Sequence, residues 1–398
     1  MVEAESRAVA EEPGEEAIYR VTDLVKLFPV KAGFMGSLFG REQFVHAVDG
    51  VSFDIKHGEI LGVVGESGCG KTTTGRLLVR LETPTGGSML FRGEDVATLR
   101  GDELKEFRRR VQMIFQDPYE SLNPRFTVFQ TVAEPLIVHN VGETFAEREE
   151  MVAKALESAE LRPAEEFMTR YPHELSGGQR QRVAIARALV LRPEFVVADE
   201  PVSMLDVSIR AGIINLMLRL RDEYDIPFMF ISHDVSVTRY MSHRIAVMYL
   251  GQVVELAPSE EVIKNPMHPY TEALLSAVPV PDPGAKHGRV EIKGDLPSPI
   301  NVPSGCAFHP RCPYRRDVCK EVRPALREVA PGHYVQCHFA GEIKTRKPDD
   351  LVLEEGVCAV CGNLVAKGTK QLTCNCPKIY HEVCAGQAGS CPVCKKAF

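Results

Sequence analysis

The residues best placed to do chemistry are Gly65-Glu66-Ser67-Gly68-Cys69-Gly70-Lys71-Thr72, which fit the spacing G-x-x-x-x-G-K-S/T. The glycines let backbone N–H groups turn toward an anion. The apolar run Ile60–Val64 before the loop and the helix-forming stretch from Thr72 to Leu81 after it supply the strand–loop–helix setting that such a loop needs. A helix N-terminus adds positive potential at the same point. Lys71 is placed to reach β- and γ-phosphates and the Thr72 hydroxyl to ligate Mg²⁺, with Thr73 in the same turn. Cys69 reads as a small packing residue, because no second cysteine lies near it in sequence to resolve an oxidised thiol.

Two acids follow a second apolar run, Phe195-Val196-Val197-Ala198-Asp199-Glu200. Carboxylates at the C-terminal end of a strand face the ligand crevice of an α/β sheet. Asp199 can hold Mg²⁺ directly or through water, and Glu200 can polarise an attacking water as general base. Alone the pair could be a solvated strand end, a reading that the phosphate loop upstream disfavours. Upstream, Leu175-Ser176-Gly177-Gly178-Gln179 precedes a helical stretch from Arg180 to Leu191. Ser176 suits an N-cap, and Gly177 and Gly178 let a phosphate approach the helix N-terminus.

These groups need rigid elements. Apolar runs of strand length at Ile60–Val64, Phe195–Ala198, Phe228–Ile231 and Ile245–Tyr249 alternate with helical patterns, which predicts an α/β fold with a largely parallel sheet. The stretch from about Arg100 to Val190 reads as mostly helical, a subdomain. The expected organisation is an acidic tail at 1–17, an α/β nucleotide-binding domain at 18–258, and a Pro-rich region at 259–341. A charged linker at 342–354 and a small Cys/His-rich unit at 355–398 follow. The 398 residues allow a sizeable core, and 44% are hydrophobic, which excludes a disordered chain. The net charge is −7 and no basic stripe appears, which argues against nucleic acid as a ligand. No apolar run reaches the length of a membrane span, and the acidic start has neither signal- nor transit-peptide character, so the expected location is cytoplasmic.

At LSGGQ the chain resembles the ABC ATPase family, and the remaining motifs follow in that family's order. The resemblance implies a P-loop fold of ABC type that binds ATP between two ATPase domains, with residues 176–179 reaching the ATP held by the opposite subunit. It implies that Gln116, in Phe115-Gln116-Asp117-Pro118, senses Mg²⁺ and the membrane partner. It places Asp206 in the Ser203-Met204-Leu205-Asp206 loop, with Met204 where alanine is usual, and His233 at the γ-phosphate. Phe28 resembles the aromatic that stacks on adenine; a core phenylalanine would look the same.

Tyr119-Glu120-Ser121-Leu122-Asn123-Pro124-Arg125, His268-Pro269-Tyr270-Thr271, Leu296-Pro297-Ser298-Pro299-Ile300 and Gly305-Cys306-Ala307-Phe308-His309-Pro310-Arg311-Cys312-Pro313 narrow the resemblance. They resemble the oligopeptide/dipeptide importer ATPases, most closely the F-type member of their pair. That implies a second, non-identical ATPase subunit, two transmembrane permeases, and an external substrate-binding protein met indirectly. The subunit would sit on the cytoplasmic face of the membrane. Close relatives serve nickel and short oligosaccharides. A soluble ABC ATPase, or a scaffold or ligase dominated by the C-terminal unit, are the competing readings.

Eleven of the twelve cysteines lie after residue 305, a clustering that in a reducing compartment points to metal rather than disulfides. Cys306, Cys312, Cys319 and Cys337 could hold Zn²⁺ or a 4Fe–4S cluster; spacing does not decide, and the family resemblance favours iron–sulfur. His309 and His338 beside them read as structural. The C-terminal ligands come in pairs and resemble RING and PHD fingers. That resemblance implies one Zn²⁺ on Cys358, Cys361, His381 and Cys384 and a second on Cys374, Cys376, Cys391 and Cys394. A unit this small needs metal to fold and would serve as a protein-docking or structural module.

Overall fold

The computed structural model describes residues 17–30, 43–277, 292, 294–343, 345, 371–373 and 379–381. Two long strands, β1 (Ala17–Pro29) and β2 (Phe44–Lys56), pair antiparallel. β3 (Ile60–Val64) runs through the glycine-rich loop into α1 (Lys71–Leu78). β4 (Gly86–Phe91) and β5 (Glu94–Asp95) return to β1, completing an antiparallel sheet in the order β2-β1-β4-β5.

The next stretch carries α2 (Gly101–Arg110), β6 (Val111–Ile114), α3 (Pro118–Ser121), α4 (Val128–Val138), α5 (Phe145–Ser158), α6 (Ala164–Met168) and α7 (Gly177–Leu189). The expected helical subdomain is present. Three of its helices start at reciprocal capping boxes: Thr127 with Gln130, Thr144 with Glu147, and Ser176 with Gln179. In each, the hydroxyl accepts the N3 amide and the N3 side chain accepts the cap amide, satisfying two donors that a helix start leaves open.

β7 (Phe195–Asp199), α8 (Val207–Tyr224), β8 (Phe228–Ile231), α9 (Val235–Met241), β9 (Arg244–Tyr249) and β10 (Gln252–Pro258) build the centre. α10 (Ser259–Lys264), α11 (Pro269–Ser276), α12 (Val318–Glu321), β11 (Arg327–Ala330) and β12 (His333–Val335) follow. The main sheet has the order β11-β12-β10-β9-β3-β8-β7-β6. Its β9, β3, β8, β7 and β6 are parallel, whereas β10, β12 and β11 pair antiparallel at one end.

The parallel strands are apolar apart from Gln112, Asp199 and Arg244, because both faces of the sheet are covered. Val196, Ala198, Phe228 and Phe230 enter the core shared with the helical subdomain. Phe195, Val197, Met229 and Ile231 enter the core shared with the antiparallel sheet. The period-2 alternation thus divides each strand between two cores.

Three features depart from the sequence expectations. The antiparallel sheet is absent from them, β6 lies within the stretch expected to be helical, and β12 of the Pro-rich region pairs with β10. A strand as short as Val111–Ile114 has too few residues to separate period 2 from period 3.6. In the C-terminal unit, β13 (Gln371–Thr373) and β14 (Ile379–His381) form a hairpin. His381 ends β14, while Cys358, Cys361, Cys374, Cys376, Cys384, Cys391 and Cys394 lie outside the described residues.

Candidate active site

The central strand β3 delivers the glycine-rich loop between β8 and β9. Gly65 and Gly70 have φ of 153° and 103°. A Cβ on Gly65 would stand 2.2 Å from the Met248 carbonyl oxygen, and one on Gly70 2.2 Å from that of Ala47. A backbone oxygen closes off each position, joined at Gly65 by the Cys69 sulfur at 2.8 Å, so the loop tolerates only glycine there. Gly70 is the N-cap of α1 and its side makes no cap bond, leaving the first amides of the helix directed into the crevice. Lys71 is buried, and its Nζ donates to the carbonyls of Gly65 (2.8 Å) and Glu66 (3.1 Å), spanning the loop. Cys69 is fully buried, and burial pushes its thiol pKa up, as a packing role requires. Thr73 follows Thr72 in α1.

β7 and β8 end beside this loop. The Thr72 hydroxyl donates to Asp199 Oδ1 at 3.1 Å, so the two expected Mg²⁺ ligands are adjacent. Burial raises the Asp199 pKa, opposed by the Thr72 hydrogen bond and reinforced by the neighbouring Glu200 charge. A divalent cation would remove that penalty. Glu200 holds φ of 46°, and its amide donates to the Ile231 carbonyl at 2.9 Å. A non-glycine residue in this region is strained, and the strain falls on the carboxylate assigned as base. Gln116 Nε2 donates to Glu200 Oε2 at 3.0 Å, and His233 Nδ1 lies 3.1 Å from the same oxygen. Gln116, Glu200 and His233, separated by 84 and 33 residues, therefore converge on one oxygen.

Phe28 lies near the end of β1 opposite Val45, with the Lys26 ammonium 4.7 Å from its ring centre. The signature residues are built differently. Ser176 and Gln179 are engaged in their own capping box, and a Cβ on Gly178 would meet Ile209 Cγ2 at 2.5 Å. Asp206 caps α8 by accepting the Ile209 amide at 3.1 Å, and Met204 is 59% exposed.

Two contacts to the loop were not expected from sequence. Tyr270 Oη accepts the Glu66 amide at 2.8 Å, and Arg311 forms a bidentate pair with the Glu66 carboxylate at 2.9 and 3.1 Å. His268, buried, caps α11 by accepting the Tyr270 amide at 3.1 Å. These residues stand inside sequence stretches singled out above, but their partners lie too far along the chain for spacing to expose them.

The cysteines 306, 312, 319 and 337 share one corner. The Cys306 amide donates to the Cys319 carbonyl at 2.8 Å. Burial first, and then the neighbouring thiols, push Cys306 up to about 11 and Cys312 up to about 12. Burial raises Cys337 too. Among the described residues, however, no three His, Cys, Asp or Glu side chains converge as a metal site, so the expected cluster site is gathered but not formed. His309 Nδ1 lies 3.0 Å from the Cys306 carbonyl and His338 Nε2 2.8 Å from that of Val322, local contacts in keeping with structural roles.

Residues 48–203 match the family model described as ABC transporter, and residues 254–319 match the one described as oligopeptide/dipeptide transporter, C-terminal region. The chain is 51% identical over 328 residues to the oligopeptide transport ATP-binding protein AppF of Bacillus subtilis (strain 168), covering 82% of this chain and 98% of that protein. The chain belongs to this family of ABC transporter ATP-binding proteins. A second relative, the putative oligopeptide transport ATP-binding protein YkfD of the same organism, is 51% identical over 310 residues, 77% of this chain and 94% of its own. Among solved structures, the dimeric ATP-binding cassette MJ0796 bound to ADP and Pi is 31% identical with a TM-score of 0.53, covering 61% of this chain and 98% of that one. The α/β fold of ABC type is therefore as expected, and the ABC ATPase hydrolyses ATP. No helix among the described residues is long and apolar enough to cross a membrane.

Proposed function

We propose that this ABC ATPase powers the import of peptides across a membrane, working with a second, non-identical ATPase subunit and two permeases that receive substrate from an external binding protein. The observation that carries the proposal is the C-terminal match over residues 254–319, joined to relatives at about half identity that are named for oligopeptide transport. Lys71, the loop amides and the N-terminus of α1 would hold the phosphates, and Thr72, Asp199 and Gln116 the Mg²⁺. Bound Mg²⁺ supplies charge neutralisation on the phosphate oxygens. Glu200 accepts the proton of the attacking water, while Gln116 and His233 fix the carboxylate that does so. Ser176, Gly177, Gly178 and Gln179 complete the site of the opposite subunit. Phe28 stacks on the adenine ring, and Asp206 faces the subunit interface.

A groove of about 180 Å³, lined by Leu81, Arg108, Phe115, Ser121, Leu122 and Arg187, opens between the sheet edge and the helical subdomain. It adjoins Gln116 and includes Ser121 and Leu122 of residues 117–125, which we read as part of the surface that receives a permease. The test is uptake of labelled di- and oligopeptides by cells lacking this chain. Uptake is lost, and is restored by the wild-type chain but not by Glu200→Gln. Undiminished peptide uptake with lost nickel or oligosaccharide uptake rejects the peptide assignment.

The four thiols at 306, 312, 319 and 337 have the donor chemistry for a 4Fe–4S cluster or Zn²⁺, and a cation among them would offset the burial that raises the pKa of Cys306, Cys312 and Cys337. Metal analysis of the anaerobically purified chain with and without Cys312→Ser tests this: about four irons, or one zinc, are lost on the substitution, and a metal content unchanged by it rejects the site. Residues 355–398 we assign as a two-zinc finger that docks a protein partner. Deleting them leaves basal ATP hydrolysis unchanged, and a truncated chain that no longer binds ATP contradicts the assignment.

A further inference from the structure

The second residue of the phosphate loop is an acid, which is unhelpful in a loop built to receive a polyanion. Three side chains restrain Glu66. Its amide donates to Tyr270 Oη at 2.8 Å, its carbonyl accepts from Lys71 Nζ at 3.1 Å, and its carboxylate takes both terminal nitrogens of Arg311 at 2.9 and 3.1 Å. The Arg311 side chain is 10% exposed. It lies over the Tyr249 ring, 5.8 Å from its centre, beside Phe308, which packs on both Tyr249 and Tyr270. Two of the three restraints thus come from the C-terminal region, 204 and 245 residues further along the chain. A planar guanidinium matches both carboxylate oxygens at once, which fixes direction as well as charge.

We propose that Arg311 is a positioning residue for ATP binding: it neutralises Glu66 and turns its carboxylate out of the phosphate crevice, so that the affinity of the catalytic loop depends on the C-terminal region. This rests on the assignment of residues 65–72 as the nucleotide loop and adds a determinant that the loop itself does not contain. Nothing in the reaction passes through Arg311. Its loss acts by leaving an unpaired negative charge beside the phosphates.

The test is a double-mutant cycle in the assembled transporter, with KM and kcat for ATP measured separately and nucleotide affinity measured on the full chain. Arg311→Gln raises KM roughly tenfold with kcat within about twofold, the size expected for one uncompensated like charge at an intermediate dielectric. Combined with Glu66→Gln, the same Arg311→Gln change has no further effect, because the charge it exposed is gone. Arg311→Lys keeps a charge but loses the bidentate geometry and raises KM about threefold, again only while Glu66 is present. It serves where the Gln variant does not fold. A KM ratio that is the same with and without Glu66→Gln overturns the proposal, as does a variant that lowers the unfolding temperature with KM unchanged. A wild-type chain that binds no ATP overturns instead the nucleotide-loop assignment beneath it.

Discussion

The phosphate loop and the signature segment both depend on glycines at a helix start, and they use them in opposite ways. At Gly65 and Gly70 the space for a side chain is taken by the chain's own carbonyls at 2.2 Å, and the loop is braced from β2, β9 and the C-terminal region. At Gly178 the nearest obstacle is a side-chain methyl of Ile209 at 2.5 Å, and Ser176 is occupied in a local capping box. The phosphate loop is finished within one chain. The second is a shaped end of a helix whose ligand must come from elsewhere, as the subunit pairing proposed above requires. A motif can therefore be complete in sequence while its site is half a site in space.

The contrast gives four predictions, from the largest expected effect downward. Glu200→Gln removes the base beside the phosphate loop while sparing the loop itself, so ATP still binds but hydrolysis slows by at least ~100-fold in a steady-state phosphate-release assay. Near-normal turnover would break the assignment of the base. Gly70→Ala forces a Cβ onto a backbone oxygen at a positive φ, and titration of the full chain with a fluorescent ATP analogue should show affinity down by roughly tenfold or more.

His268 tests the brace behind that loop. Its pKa is lowered to about 4, by burial first and against the pull of Glu255, whereas in an unfolded chain it is near 6.5. The native state favours the neutral ring that accepts the Tyr270 amide. Its contribution to stability is therefore complete above about pH 6.5 and is lost as pH falls toward about 4. Urea unfolding midpoints across that window should decline less steeply in His268→Asn, which can still cap the helix. Equal slopes would show that His268 does not titrate in this way.

Gly178→Ala is the mildest. Ile209 can give way, so stability should fall by about 1 kcal/mol with ATP affinity of the isolated chain unchanged, while hydrolysis drops in the assembled transporter. An equal loss in both assays would erase the distinction between the two sites.

What the sequence disclosed was local. The glycine loop, the Ser176–Gln179 box and the strand ending at Asp199 each carry their signal within a few residues, and each forms as expected. The antiparallel sheet was illegible because β1 pairs with β2 through several register shifts, which blur the alternation that marks a strand. Tyr270, Arg311 and His268 lay in stretches recognised by resemblance alone. No periodicity connects residue 66 to residue 311, and a salt bridge between them follows from topology. The clustering of cysteines was legible as composition, but thiol spacing does not fix where the sulfurs meet.

The strand β12 gives the order of manufacture a physical meaning. β10 is complete at residue 258, yet its outer edge is covered by β12, and buried Glu255 meets His333 at 2.6 Å, 78 residues later. At about 5–20 residues per second, a ribosome needs roughly 4–16 s to supply that partner. During this interval the nascent domain has its nucleotide loop but an open β-edge and a carboxylate without its imidazole. The newborn ATPase thus keeps an unpaired β10 edge after its catalytic motifs have all been translated, and closing that edge waits on β12.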